Sequence, residues 1–365
     1  MQKKIIALAV AGLASTAAFA QSNVTIYGVA DVGQAWVWSN SDNAKNNQKN
    51  VGRVDSNQSY LGFKGAETLG NGLTAVFQFE SNIGVDVNTG FNGVRDSYIG
   101  LAGGFGTIAA GRLTHPLREM GVKVDILPGD SGIGTVNSVT GRIMGIKTGA
   151  DDRASNAVAY ISPTFGGGFS ATLAWVNGEE KTDNVNTHAW QIAGKYDNGP
   201  LFVGLGYHKT NDNVNNNSLI GKDLDARVWR LAAVYTAPFG TKFSALYDNT
   251  KVDNAAGPNS IKRSAWSIGA SHAFGANTVG LQYARSGKTN ISGGIPDPKD
   301  SANIWSAYYG YSLSKRTLLH ARYSRLANGK EGNFNFYNNE VNNGALPASG
   351  NRNYSGFMVG MRHSF

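Results

Sequence analysis

The C-terminal stretch of the chain, residues 354–365, reads YSGFMVGMRHSF and decides the fold. Apolar side chains recur in it at every second position, and most of the intervening positions hold glycine or a polar residue. Alternation of this kind is typical of a β-strand with one apolar and one polar face. The apolar face holds Phe357, Val359, Met361 and Phe365, and the other face holds Gly356, Gly360, Arg362 and Ser364.

Segments of the same kind precede this stretch along most of the chain. Many neighbouring pairs are joined by short turns rich in glycine and asparagine, such as LGNG at 69–72, which is the signature of β-hairpins. Each segment is long enough to cross a bilayer as a tilted strand. The sequence therefore predicts sixteen strands, at 23–38, 58–67, 73–80, 94–102, 107–113, 153–162, 169–176, 188–196, 201–208, 226–236, 242–251, 263–274, 278–286, 303–313, 317–326 and 354–365.

The spacing of these segments indicates how they are arranged. Short turns alternate with longer polar connections, as in outer-membrane barrels, where one rim has short turns and the other long loops. An open sheet edge cannot persist in hydrocarbon, so the last strand must pair with the first. The predicted fold is all-β, a 16-stranded antiparallel transmembrane β-barrel. Because the strand count is even, both termini are expected on the periplasmic side.

Two connections are unusually long. Residues 39–57 are rich in asparagine and show no apolar period, so the sequence predicts a polar loop there. Residues 114–152 form the longest connection. A connection of this length without secondary structure is usually functional.

The first twenty residues have the pattern of a secretory signal. Lys3 and Lys4 precede an apolar run from Ile5 to Leu13, and Ala18-Phe19-Ala20 matches a cleavage site. We therefore expect a cleaved signal peptide at 1–20, a barrel at 21–365, and Sec-type export to the outer membrane.

Composition excludes several other classes of protein. Mean hydropathy is −0.27, and no run after residue 20 approaches the ~18 apolar residues of a membrane helix. The net charge of +8 would fall to +6 without Lys3 and Lys4, and its dispersed positive residues do not form the basic run of a nucleic-acid binder. The chain has no cysteine, which fits an oxidising compartment.

No catalytic set emerges from the sequence. The six histidines are scattered, and none has the spacing of a metal-ligand motif. The chain lacks a GxSxG nucleophile elbow, and its GGG at 166–168 lacks the Lys-Ser/Thr of a phosphate loop. The sequence thus predicts a protein that is not an enzyme and that needs no cofactor or metal.

Five stretches together resemble the general-diffusion porins of the Gram-negative outer membrane, in the β-proteobacterial and Neisseria-type family. They are NVTIYGVADVG at 23–33, LGFKGAETLGNGLTAVFQFES at 61–81, YIGLAGGFGTIAAGR at 98–112, RASNAVAYISPTFGGGF at 153–169 and VGMRHSF at 359–365. The resemblance implies a homotrimeric barrel in lipid and lipopolysaccharide, with passive diffusion of ions and small hydrophilic solutes. It also implies that a third long loop, here 114–152, folds into the lumen, and that Phe365 is read by the barrel-assembly machinery.

Charged residues in and near this loop are the candidates for a pore constriction. The loop holds Glu119, Asp125 and Asp130. The other possible role of Asp125 and Asp130 is to form ion pairs that hold the loop in shape. Basic residues would face them from the wall, and fixed charges in a narrow channel bias ion passage. Lys64, Arg95 and Arg153 are selected because strand alternation turns them toward the lumen and they are close to the loop in sequence. For Arg112 alternation leaves the direction ambiguous, and the family's glycine-arginine at that position adds this residue to the set.

The excess of basic wall residues predicts a mild preference for anions. One alternative is a substrate-selective channel for sugars or organic anions, which an aromatic strip along the lumen would favour. Tyr27, Tyr60 and Phe202 face inward by parity but are scattered in sequence. A third possibility is an adhesin or structural barrel without an open pore.

Overall fold

The structure, a computed structural model, describes most of the chain. The predicted signal peptide lies outside the described residues, and so does Asp130. The described residues are 24–41, 47–87, 90–129, 131–143, 146–181, 186–213, 224–254, 259–294, 296–337, 340–341 and 352–365.

Nearly all regular structure in these residues is β. The strands are β1 Thr25–Ser41, β2 Gln48–Ser56, β3 Tyr60–Gly70, β4 Leu73–Ile83, β5 Phe91–Gly103, β6 Gly106–Thr114, β7 Arg142–Ile143, β8 Ile146–Lys147, β9 Arg153–Ile161, β10 Phe169–Lys181, β11 Asn186–Asn198, β12 Leu201–Asn213, β13 Leu224–Thr236, β14 Thr241–Asn254, β15 Ser260–Phe274, β16 Asn277–Ser286, β17 Asn290–Ile291, β18 Ala302–Ser312, β19 Thr317–Asn328 and β20 Arg352–Ser364. An α-helix, α1, spans Pro116–Val124, and a 3-10 helix spans Val136–Ser138.

The strands form one closed antiparallel barrel of sixteen wall strands. The strands β2 and β3 together make the second wall strand, because both pair with β1. The short strand β17 continues β16 along β15, and the β7–β8 hairpin is separate. The barrel closes where β1 pairs with β20, from Val29 opposite Ser364 to Ser41 opposite Arg352. The predicted 16-stranded antiparallel barrel is confirmed.

Alternation along each strand separates an outer from an inner face. On β13, Trp229 and Leu231 are exposed, whereas Val228, Arg230 and Ala232 between and beside them are buried. The same alternation on other strands exposes large apolar side chains such as Leu205 and Leu281. An apolar outer face is what contact with hydrocarbon requires.

The prediction of a polar loop over the whole of 39–57 is wrong. The strand β1 continues to Ser41, and β2 lies inside this range and pairs with β1 from Val32 opposite Ser56 to Ser39 opposite Gln48. This ladder consists of backbone hydrogen bonds, which form whatever the side chains are. Because β2 has no apolar face, its sequence shows no apolar alternation.

The long connection 114–152 also contains secondary structure, namely α1, the 3-10 helix and the β7–β8 hairpin. Its apolar residues supply much of the core. Met120 and Val124 pack with Phe202 and Leu246, and Ile133 packs in a cluster with Met358. The core therefore lies between this connection and the buried face of the wall strands.

Candidate functional site

The site is built around residues 115–152, called the loop segment below. Its helix α1 begins with Pro116 at the first helical position, where the missing N–H of proline costs nothing. Leu117, Met120 and Val124, spaced along one face of the helix, are buried. The helix contacts β11, β12, β13 and β14, so these strands fix its position.

Glycines on β12 make room for this helix. A Cβ atom at Gly206 would lie 2.6 Å from Leu117 Cδ1, and one at Gly204 would lie 3.0 Å from the Met120 methyl group. Such distances are shorter than van der Waals contact, so a larger residue would push α1 away from the wall. The close approach of helix and strand thus depends on these two glycines.

Asp125 stabilises the turn after α1. Its carboxylate accepts hydrogen bonds from the N–H groups of Leu127, at 2.8 Å, and Val136, at 3.0 Å. Burial raises the pKa of Asp125 above its usual range, and these two hydrogen bonds oppose that rise. The contacts of Asp125 therefore join two parts of the loop segment to each other.

The second half of the loop segment is bound to strands further round the barrel. The carbonyl oxygen of Gly134 accepts hydrogen bonds from Gln282, at 2.8 Å, and Ser306, at 2.7 Å. The carbonyl oxygen of Ser131 accepts one from Arg322 at 2.9 Å. Because these partners lie on β16, β18 and β19, the loop segment contacts the buried face over many strands.

A cavity of about 210 Å³ opens between the loop segment and β5, β6 and β9. Two carboxylates of the loop segment, Asp151 and Asp152, border it, as does Tyr337 from the connection after β19. Its lining is otherwise strongly basic. Five arginines border it: Arg95, Arg112, Arg118, Arg142 and Arg153.

Arg95 is held rigidly on β5. Its Nε pairs with Glu80 at 3.1 Å, and its Nη1 donates to Gln58 at 2.9 Å. Its guanidinium also stacks over the Tyr60 ring, 4.5 Å from the ring centre. A guanidinium with so many partners keeps a fixed direction, so its charge has a fixed place at the cavity.

Arg112 and Arg153 are neighbours because β6 pairs with β9. Arg112 Nη1 lies 3.5 Å from the carbonyl oxygen of Arg153 and 3.0 Å from Ser155 Oγ. Arg153 pairs with Asp96 at 3.3 Å. The register of β6 and β9 shifts between Gly111 and Leu113, and this irregularity is why alternation left the direction of Arg112 ambiguous.

The other predicted residues lie away from this cavity. Lys64 stands over the Tyr27 ring, 4.9 Å from its centre, and does not border the cavity. Glu119 projects from α1 and lies 3.7 Å from Lys195 Nζ. The structure thus brings Arg95, Arg112 and Arg153 together, and it places Lys64, Glu119 and Asp125 elsewhere.

Arg118, Arg142 and Tyr337 also border the cavity, and none of them was among the predicted constriction residues. Arg118 donates to the carbonyl oxygen of Asp151 at 2.8 Å and to the Tyr337 hydroxyl at 3.2 Å. Arg142 stacks on the Tyr337 ring at 5.0 Å. The positive charges of the loop were visible in the sequence, but Tyr337 is about two hundred residues away in it. Only the closed barrel brings these residues together.

Two histidines that are far apart in sequence meet beside the loop segment. The His115 and His208 rings lie 5.6 Å apart. His115 Nδ1 donates to the carbonyl oxygen of Gly149 at 2.7 Å, which connects the first and last parts of the loop segment. Burial lowers the pKa of His115, so its ring is neutral at pH 7.

Phe365 lies at the seam of the barrel. Its backbone N–H donates to the carbonyl oxygen of Gly28, and the N–H of Gly28 donates to the carbonyl oxygen of Phe365, both at 3.1 Å. The side chain is about half exposed. In the described residues, no helix has the length and apolar character that a membrane crossing needs.

Comparison with known proteins agrees with this architecture. A model of the Gram-negative porin family matches residues 7–331. The chain is 34% identical to outer membrane porin protein 32 of Delftia acidovorans over the whole length of both proteins. It is 32% identical to the major outer membrane protein P.IB of Neisseria meningitidis serogroup B, over 59% of this chain and 62% of that protein.

A solved structure gives the same result. The anion-selective porin from Comamonas acidovorans superposes with a TM-score of 0.73 at 28% identity, over 94% of this chain and 100% of that one. The resemblance seen in the sequence is therefore confirmed. This chain belongs to the Gram-negative porin family, and it is an outer-membrane β-barrel that forms a porin channel.

Proposed function

We propose that the channel passes ions and small hydrophilic solutes by passive diffusion, and that the loop segment narrows it from inside the barrel. The contacts of the loop segment with the buried face of β11–β19 support this position. The arginine-bordered cavity is then the narrowest part of the path. A loop inside a 16-stranded barrel restricts an aqueous channel that is otherwise wide.

The lining charges favour anions. Five arginines face two carboxylates around the cavity, and low-dielectric walls make fixed charges act strongly on a passing ion. Because the Asp152 carboxylate offsets part of the positive charge, the preference is mild. The anion-selective porin from Comamonas acidovorans, with the same fold, supports this sign.

The test is a reversal potential. The purified protein is inserted into a planar bilayer between two KCl solutions of different concentration. A potential of the sign set by chloride permeation is the expected result, and a clear potassium preference would reject the proposal. A preparation that inserts but conducts no current would instead support a structural barrel or adhesin without a pore.

A substrate-selective channel for sugars or organic anions remains the second candidate, because one observation favours it. The rings of Tyr27 and Tyr60 lie 6.2 Å apart, with Lys64 above the first and Arg95 above the second. Aromatic faces beside cations suit flat solutes that carry a carboxylate. Liposome swelling with a series of solutes separates the two functions, since a general pore ranks them by size and a selective one by identity.

Export and assembly follow the family pattern in this proposal. A signal peptide at 1–20 directs export, and the barrel at 21–365 forms a homotrimer surrounded by lipid and lipopolysaccharide. Phe365 serves as the signal for the barrel-assembly machinery, which its position at the seam supports. Deletion of Phe365 is expected to reduce the amount of folded protein in outer-membrane fractions, and an unchanged amount would refute this role.

A further inference from the structure

The side chain of Arg230 on β13 makes five hydrogen bonds. Its side chain is completely buried. Its Nε and Nη2 donate to the two carboxylate oxygens of Asp248 at 2.6 and 2.7 Å. Asp248 is its direct cross-strand neighbour on β14, so the barrel register itself forms this pair.

The same guanidinium reaches two distant points of the loop segment. Its Nη1 donates to the carbonyl oxygen of Leu117 at 2.7 Å. Its Nη2 donates to Asp151 Oδ2 at 2.6 Å, and its Nη1 pairs with Asp151 Oδ1. A third point is held through Asp248, whose Oδ2 accepts the N–H of Gly141 at 3.2 Å. The start, middle and end of the loop segment thus converge on one residue.

The geometry points to Arg230 as the positioning residue of the constriction: it fixes the loop segment to the wall and pairs the Asp151 carboxylate, so that this charge does not act in the ion path. This inference rests on the proposed function of the loop segment. Asp151 borders the arginine-lined cavity, whereas Arg230 does not. Arg230 therefore acts on permeation through another residue.

The charges around Arg230 explain why its loss should change the ion preference as well as the position of the loop segment. One buried guanidinium holds two carboxylates, and without it those carboxylates would be unpaired and would repel each other. Asp151 belongs to the loop segment and is partly exposed, with 14% of its side chain accessible, whereas Asp248 belongs to a barrel strand. Asp151 is thus the group that would move, carrying a free negative charge to the cavity.

Single-channel recording in a KCl gradient tests this inference. Arg230→Gln is expected to lower the chloride-to-potassium permeability ratio about twofold and to increase open-channel noise. Arg227→Gln is the matched control, because Arg227 lies on the same strand and pairs with Asp253 at 3.4 Å. It should leave both quantities unchanged.

Two further variants separate charge from position. Arg230→Lys keeps the charge but loses the fork that binds two carboxylates at once, so it should raise noise while the permeability ratio stays near the original. Asp151→Asn combined with Arg230→Gln removes the freed charge, so it should restore the ratio while the noise remains. A side chain that only stabilised the fold would not produce this split.

The outcomes that overturn the inference are equally distinct. Each variant is first checked for barrel assembly by circular dichroism and by its gel mobility before and after heating. If Arg230→Gln does not assemble, Arg230→Lys carries the test, and noise equal to that of the original protein refutes the role. If Arg153→Gln at the cavity lowers the ratio and Arg230→Gln does not, only the inference about Arg230 fails. If neither lowers it, the cavity is not the constriction, and the proposed site and the inference both fail.

Discussion

Gly28 and Phe365 exchange two backbone hydrogen bonds, both 3.1 Å long, and thereby close the barrel at its first and last strands. The Phe365 ring lies over Gly28, where a Cβ atom would be 2.5 Å from the ring and 2.6 Å from the carbonyl oxygen of Tyr60. The seam therefore requires a residue without a side chain at position 28.

Substitution of this glycine should weaken the seam. Gly28→Ala is expected to lower stability by about 1–3 kcal/mol, because backbone and ring must both shift. The temperature at which the folded barrel loses its compact gel mobility measures the effect. Gly194→Ala is the control, since a Cβ atom there meets nothing within 4 Å. Equal melting of both variants would contradict the prediction.

A second glycine substitution should disturb the Arg230 contacts without changing Arg230. Gly141 has a φ of +66°, and a Cβ atom there would lie 2.7 Å from Asp151 Cγ. Gly141→Ala should therefore displace the Asp151 carboxylate and increase open-channel noise. Gly167→Ala is the control, because Gly167 has a comparable φ of +75° and a Cβ atom there meets nothing within 4 Å. This variant has the same backbone cost of about 1 kcal/mol but displaces no neighbouring side chain. Matching noise in the two variants would show that Asp151 was not displaced.

The cavity arginines should control ion preference directly. Arg112→Gln and Arg153→Gln each remove one positive charge from the lining, so each should lower the chloride-to-potassium permeability ratio, by about twofold. The double variant should lower it further. Lys64→Gln provides the comparison, because Lys64 does not border the cavity. A larger effect at Lys64 than at either arginine would place the constriction elsewhere.

Acid should weaken the attachment of the loop segment through His115. Burial lowers its pKa below the ordinary value of about 6.5, so the folded state takes up fewer protons than the unfolded state just below that pH. The contribution of His115 to stability is thus fully present above about pH 6.5 and declines from there down to the lowered pKa. His115→Asn should reduce the fall in melting temperature between pH 7 and pH 5. His188→Asn, at the partly exposed ring that contacts Asn186, is the control, and an unchanged fall in His115→Asn would contradict this assignment.

Asp125 should matter for stability more than Glu119. An asparagine at position 125 offers one oxygen where the carboxylate accepts two backbone N–H groups, so Val136 or Leu127 loses its partner. Asp125→Asn is expected to cost about 1–3 kcal/mol. Glu119→Gln should cost less than about 1 kcal/mol, because Glu119 is half exposed and its contact with Lys195 is 3.7 Å long. Thermal unfolding in detergent compares the two, and equal losses would count against this role for Asp125.

The barrel was predictable because alternation is a local property of each strand. Sixteen wall strands and the closure by the terminal stretch follow from period two, short turns and the need to leave no open edge. The strand β2 was not predicted because most of its side chains are polar and only backbone pairing with β1 marks it. The helix α1 was not predicted, because its nine residues are too few for an apolar period to mark it in the sequence.

The site was predictable only where neighbouring strands bring its residues together. Arg95, Arg112 and Arg153 lie on β5, β6 and β9, which are adjacent in the sheet, so closeness in sequence order predicted closeness in space. Tyr337 and Arg230 are far in sequence from the loop segment that they contact, and no local pattern encodes such contacts. For Asp125 the sequence left open a pore charge or a role in holding the loop in shape, because composition cannot distinguish an exposed carboxylate from one that accepts hydrogen bonds from the backbone of its own loop.

The two halves of the chain contribute different residues to the site around the loop segment. The three arginines on the wall come from strands before residue 162, whereas Arg230, Gln282, Ser306 and Arg322, which donate hydrogen bonds to the loop segment, come from strands after it. Residues of the later strands can therefore change the proposed constriction through the loop segment that they hold. If the loop segment narrows the channel as proposed, a substitution at one of these strand residues changes the constriction without contacting a solute, and a survey limited to solute-facing positions would overlook it.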